Sequence, residues 1–248
     1  MKYISLFIGA FLALNINAFA EKPKVVATAS MIADMTKQIA GDKIELKTIV
    51  PIGSDPHLHE STPRDAKIVS EAALILKNGL TFEGWIIELI KNSGTKASLD
   101  TVTQLVKPLG SSVYKDSFDP HAWMDAANGI IYAENIKNAL VALNAENAAT
   151  YESNFEAFKT RVEALDIRLK VLISTIPVDK RVLVTSHDAF KYYGRKYGLQ
   201  LESILGTSTD AQAQTQDINR LYKVIKTTGI PAIFVESTIN PQTLKQIA

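Results

Sequence analysis

Apolar positions recur along this chain with two alternating periods. Short apolar runs at 24–28, 44–50, 74–76, 97–99, 181–185, 201–205 and 232–235 read as strands. Between them the spacing changes to three and four. Ile32, Met35 and Ile39 share a helical face that Gly41 closes, with Ser30 offered as its N-cap. Thr62-Pro63-Arg64-Asp65 opens another helix with a cap, a proline at the first helical position and an acid at the third. Phe82, Trp85, Ile86, Leu89 and Ile90 form an amphipathic stripe. Further helices are expected at 188–197, closed by Gly198, and at 217–226, stopped by Gly229. Strands alternating with helices predict mostly parallel sheets covered by helices.

The middle of the chain follows another rule. Tyr151, Phe155, Phe158, Val162, Leu165, Leu169, Leu172 and Ile176 are three or four residues apart, and Pro177 ends the series. A helix over about 148–176 would run on the order of 40 Å. The spacing would also suit a coiled coil. The strand–helix pattern resumes directly afterwards, so a long helix joining two lobes is the better reading. The expected fold is α/β: two lobes, each a small mostly parallel sheet flanked by helices, joined by one long helix. The lobes divide into 21–143, a linking helix at 144–177, and 178–248. The last of these has three strands and reads as incomplete, ending partway through a helix.

The first residues add a destination. Met1-Lys2 is a short positive start, residues 4–16 are mostly apolar, and Ala18-Phe19-Ala20 has the form of a cleavage site. That pattern is a secretory signal peptide over residues 1–20. The chain has no cysteine. A mature protein beginning at Glu21 is therefore expected to be soluble, without a lipid-anchor cysteine. Thiolate ligands and disulfides are excluded, leaving His, Asp and Glu for metal chemistry. Removing residues 1–20 takes Lys2 and no acid from 27 basic and 26 acidic residues, so the mature charge is balanced. With no Lys/Arg-rich run, nucleic acid and anionic membrane are poor partners. No phosphate-binding glycine motif is present, so direct nucleotide binding is not expected.

Candidate chemistry lies in the histidines, of which there are four. Asp-Pro-His occurs twice, as Asp55-Pro56-His57 and Asp119-Pro120-His121, and a third histidine stands in Thr185-Ser186-His187-Asp188. Singly, each would read as a surface histidine in a turn. Three in matched loops after apolar runs point to a transition-metal site. Proline before His57 and His121 stiffens each loop, and Asp55 and Asp119 can bond their own backbone as Asx-turns.

These segments together resemble the metal-specific, TroA-like (zinc/manganese, cluster A-I) substrate-binding proteins of ABC importers. The matching residues are Pro51-Ile52-Gly53-Ser54-Asp55-Pro56-His57 with Glu60, Asn78-Gly79-Leu80, Asp119-Pro120-His121-Ala122-Trp123-Met124, Ser186-His187-Asp188-Ala189-Phe190 and Glu236-Ser237-Thr238. The resemblance implies a metal held between the lobes by His57, His121 and His187, with Zn2+ or Mn2+ as cargo rather than cofactor. It implies a periplasmic monomer that delivers metal to a membrane permease and catalyses nothing. Manganese-selective relatives carry a carboxylate where this chain has His187. The family's fourth ligand, a carboxylate beyond a further strand, has no counterpart within these residues.

Other side chains carry weaker expectations. His59 departs from the family's usual aromatic and is a minor candidate for the metal. Glu60 is a candidate partner for a ligand histidine's free ring N–H. Trp85 is expected in the core and Trp123 as a wall of the site, while Phe190, Tyr192, Tyr193 and Tyr197 read as helix packing. Two rival functions remain open: a secreted zinc hydrolase using three histidines and a water, and a metal-binding surface adhesin. Because ligand imidazoles must be neutral, metal binding is expected to fall markedly by pH 5.

Overall fold

A computed structural model of the protein describes residues 21–111, 116–210, 213–230, 232–239 and 242. The signal peptide expected at residues 1–20 lies outside the described residues. Strands β1 (Lys24–Ala29), β2 (Glu45–Val50), β3 (Leu74–Lys77) and β4 (Ser98–Thr101) form one parallel sheet in the order β2-β1-β3-β4. The pleat sorts their side chains. Val25, Ala27, Leu74 and Leu76 face one core; Val26, Ile49 and Ile75 face the other. Both faces of the inner strands β1 and β3 are covered, which explains why those two runs are mostly apolar rather than alternating.

The second of those cores is closed by α2 (Pro63–Ser70), which contributes Val69, and α3 (Ile86–Ser93), which contributes Ile86 and Leu89. The first is closed by α1 (Ser30–Ala40), α4 (Ala126–Leu143) and α5 (Ala148–Ser174). Each large apolar side chain fully buried there, such as Ile32 or Leu140, stabilises the fold by about 1.5–3 kcal/mol. The α2 start is a capping box, with Thr62 and Asp65 each accepting from the other's backbone N–H. At α1 the expected cap is wrong. Ala29 occupies the cap position and Ser30 is the first helical residue.

The α4 helix has no counterpart in the sequence reading. It is apolar on several sides because Ile136, Leu140 and Tyr132 are buried while Ile130, Ile131 and Val141 also pack against the core. Its exposed strip is narrow and mixed, with Glu134 and Asn138 set between Ala127 and Ala142, so the polar face that would reveal its period is weak. The long helix is present, but only its first half uses the apolar series fully. Tyr151, Phe155 and Phe158 are buried, whereas Leu165 and Leu172 are exposed.

Beyond α5, β5 (Val182–Thr185) and β6 (Gln200–Ser203) pair in parallel, with α6 (Lys191–Tyr197) between them and α7 (Thr215–Thr228) following. Val184, Ile204 and Leu221 form this smaller core. The strand expected at 232–235 is not formed. Phe234 N–H donates to Val184 O at 2.9 Å, which aligns the segment with β5 without building a ladder. The α6 helix starts at Lys191 rather than at 188, because His187–Phe190 is held in a turn: Asp188 N–H reaches Gly206 O and Ala189 N–H reaches His187 O.

Candidate metal centre

The loops that carry the histidines leave the C-terminal ends of parallel strands, where ligand sites of open α/β sheets lie. His57 follows β2, His121 follows β4 and His187 follows β5. Their ring nitrogens converge, with one nitrogen from each lying within 4.8 Å of the other two. His57 Nε2 and His187 Nε2 lie 3.2 Å and 3.3 Å from His121 Nε2. For a tetrahedral ion with metal–nitrogen bonds of about 2.0–2.1 Å, adjacent ligand atoms stand about 3.3 Å apart.

The other ring nitrogens decide what these close approaches are. His121 Nδ1–H donates to Asp119 Oδ1 at 2.8 Å, and His187 Nδ1–H donates to Glu236 Oε2. Each carboxylate holds the proton on Nδ1, so each Nε2 presents a lone pair. Two lone pairs 3.3 Å apart cannot share a hydrogen bond; a cation satisfies both. These acids take the part that Glu60 was expected to play. Glu60 is exposed. Nothing in the spacing marked Asp119 as a ring partner beyond its place in the repeated tripeptide, and Glu236 is 49 residues from its histidine.

Both Asp-Pro-His loops close in the same way. His57 N–H donates to Asp55 Oδ1 and His121 N–H to Asp119 Oδ1, each at 2.9 Å. Each proline carbonyl is also held. Trp85 Nε1–H donates to Pro56 O at 3.1 Å, and Asn78 Nδ2–H to Pro120 O at 3.0 Å. Trp85 therefore does more than pack. Tyr192 is likewise more than a packing residue: its hydroxyl donates to Asp119 O and accepts from Leu109 N–H.

The smaller lobe is tied to the larger around the site. Thr209 Oγ1–H donates to Asp55 Oδ2 at 2.6 Å, and Lys196 pairs with Asp125 at 3.2 Å. His59 stays apart from the cluster. Its Nε2 lies 3.2 Å from Asp65 Oδ2 and its ring packs on Trp85, so it braces the start of α2.

The three imidazoles line a cavity of about 170 Å³ with Phe82, Trp123, Met124 and Phe190 among its walls. Trp123 thus forms a wall, as expected. His121 is 1% exposed. Burial, then the neighbouring His121 and His187 rings, lowers the His57 imidazole to about 4. Burial also lowers His121, against the pull of Asp119. His57 and His121 are thereby biased toward the neutral form. Asp119→Asn should weaken zinc binding about ten- to a hundredfold, the usual cost of losing such an outer partner. Chelator competition measures this; unchanged affinity would restrict Asp119 to shaping its loop.

Two α/β lobes bridged by a long helix, with an imidazole cluster at their junction, define a two-lobed solute-binding protein of the metal-import class. The chain belongs to the ZnuA family, zinc-uptake complex component A periplasmic, whose pattern matches residues 25–248. It is 37% identical over 239 residues to the manganese ABC transporter substrate-binding lipoprotein PsaA of Streptococcus pneumoniae, covering 92% of this chain and 76% of PsaA. The iron ABC transporter substrate-binding lipoprotein MtsA of Streptococcus pyogenes serotype M1 is 37% identical over 265 residues, covering 100% of this chain and 86% of MtsA. Among solved structures, the periplasmic zinc-binding protein TroA of Treponema pallidum superposes with a TM-score of 0.85 at 31% identity, over 91% of this chain and 82% of TroA.

Proposed function

We propose that this protein captures one divalent transition metal ion through His57 Nε2, His121 Nε2 and His187 Nε2 and hands it to the membrane permease of an ABC importer. The observation that carries this reading is the pair of Nε2–Nε2 separations, 3.2 Å and 3.3 Å, about His121, with the Nδ1 protons of His121 and His187 held by Asp119 and Glu236. In this reading residues 21–143 and 178–248 act as the two jaws, and the helical segment 144–177 sets their spacing. The protein acts as a monomer. It performs no chemistry on its cargo, because Asp119 and Glu236 are engaged in orienting rings rather than poised as a base.

Zinc is the preferred ion. Three imidazoles favour it, and affinity for such donors rises from Mn2+ to Zn2+. The named metals of the relatives span manganese, iron and zinc, so affinity and transported cargo are separate questions. Mass-spectrometric metal analysis after equimolar zinc and manganese loading should return about one zinc per chain. Predominant manganese would overturn the preference, and no bound metal of either kind would overturn the site.

The same reading places the protein outside the cytoplasmic membrane. The streptococcal relatives are named lipoproteins, which runs against the expectation of an unanchored form. Detergent phase partitioning of the natively expressed protein tests this: recovery in the aqueous phase supports the unanchored form, and recovery in the detergent phase refutes it.

A further inference from the structure

We propose that Glu83 and Asn78 are positioning residues for the metal centre, acting together through the turn at Gly79, Leu80 and Thr81. This rests on the reading of His57 and His121 as ligands. The turn follows β3, and all three residues have positive φ: 82° at Gly79, 53° at Leu80 and 65° at Thr81. Glycine accepts this readily, but leucine and the β-branched threonine do not. Gly79 is also confined by space, since a Cβ there would lie 2.6 Å from Thr101 Cγ2. A turn so unfavourable persists only where its surroundings over-determine it.

Glu83 supplies that constraint. It is 5% exposed and accepts three hydrogen bonds: from Thr28 Oγ1–H and Asn78 N–H at 2.6 Å, and from Gly79 N–H at 3.0 Å. Thr28 is in β1, so the carboxyl group pins the start of the turn to the neighbouring strand where the chain order of the sheet reverses. The ligand reading gives this buried acid no part of its own.

The constraint reaches the ligands in two directions. Tyr132 Oη–H donates to Asn78 Oδ1 at 2.7 Å, which turns the Asn78 amide so that Nδ2–H meets Pro120 O, next to His121. At the other end of the turn, the Phe82 ring lies edge-on to His57 at 5.0 Å and to His121 at 6.2 Å between centroids. One buried carboxyl group therefore sets the backbone of a histidine loop on one side and the apolar wall against two imidazoles on the other.

The test uses Asn78→Asp and Glu83→Gln in the whole chain. Asp at 78 keeps the acceptor for Tyr132 but removes the donor to Pro120 O. Gln at 83 sets an amide against one of three converging donors. Zinc affinity is read by chelator competition, coordination geometry by the visible absorption of bound Co2+, and folding by the melting temperature of the metal-free protein. Each variant should bind zinc about ten- to a hundredfold more weakly, with displaced or weakened Co2+ bands at full loading. Because the two residues act in series, the double variant should fall well short of the product of the single losses. A lower melting temperature with wild-type Co2+ bands and zinc affinity would make both residues scaffold only, overturning the proposal. Should one variant not fold, the other carries the test. His121→Ala is the separate control: undiminished zinc binding by that variant would overturn the ligand reading itself.

Discussion

His121→Ala is expected to abolish measurable zinc binding, weakening it by about a thousandfold or more. Its Nε2 is the nearest neighbour of both other ligand nitrogens, at 3.2 Å from His57 and 3.3 Å from His187. Without it, two imidazoles from different lobes remain, and a transition-metal site held by two side-chain ligands is well short of the three or four that protein zinc sites use. The loss should not stop at the metal. Asp119 is fully buried and its Oδ1 receives both the ring N–H and the backbone N–H of His121. Truncation removes the first of these, and leaving a buried acceptor short of its partner costs about 1–3 kcal/mol. Calorimetric zinc titration should therefore show no heat of binding, and thermal unfolding of the metal-free variant a lower midpoint. The contrasting variant is His59→Ala. That ring contacts Asp65 and Trp85 instead of the cluster, so zinc affinity should change less than about tenfold while α2 loses a brace. A His59 loss as deep as that of His121 would mean the cluster had been assigned to the wrong histidine.

The site was legible in the sequence to the extent that chemistry repeats. Asp-Pro-His recurs with the same Asx-turn in both loops, so one tripeptide pointed to two members of the histidine cluster, and a histidine directly after an apolar run pointed to the third. What surrounds them was hidden because it is assembled across the fold. Glu236 meets His187 through a segment aligned with β5 by one backbone bond. Asn78 and Trp85 each hold a proline carbonyl from 42 and 29 residues away. A one-dimensional pattern carries no register for such meetings. The same distinction governs the elements. α2 was readable from Thr62-Pro63-Arg64-Asp65 because a capping box is local. α4 was not, because burial on several sides leaves only a narrow exposed strip at Glu134 and Asn138 to mark the helix. The boundary of α6 failed for a further reason: Asp188 N–H and Ala189 N–H are drawn to Gly206 O and His187 O, and this holds the ligand turn open where helix propensity alone would have continued.

Acid should act on the metal-free protein and on metal loading in the same direction but in different windows, with metal loading failing at a lower pH than unperturbed histidines would give. The His57 ring, ordinarily near 6.5, is lowered to about 4 by burial and then by the neighbouring imidazoles; His121 is lowered by burial. For a group whose folded pKa is depressed, the unfolded chain binds more protons between the two values. Stability contributed by the neutral buried ring is thus complete above about pH 6.5. It declines as pH falls through the window from 6.5 to 4, and below 4 the folded ring is protonated as well. For His57 alone the span corresponds to about 3 kcal/mol, an upper bound because the ring is partly open to solvent. Metal loading follows the folded values. Protons compete with the ion at His57 only near pH 4, so the marked loss by pH 5 expected for ordinary histidines should move down by about one unit. Zinc occupancy followed from pH 7.5 to 3.5 should hold through pH 5.5 and fall steeply around pH 4–5. The melting temperature of metal-free protein should already decline between pH 6.5 and 5. Half-occupancy at pH 6 or above would mean that His57 and His121 titrate as exposed histidines, and would refute the closed, neutral pair on which this prediction rests.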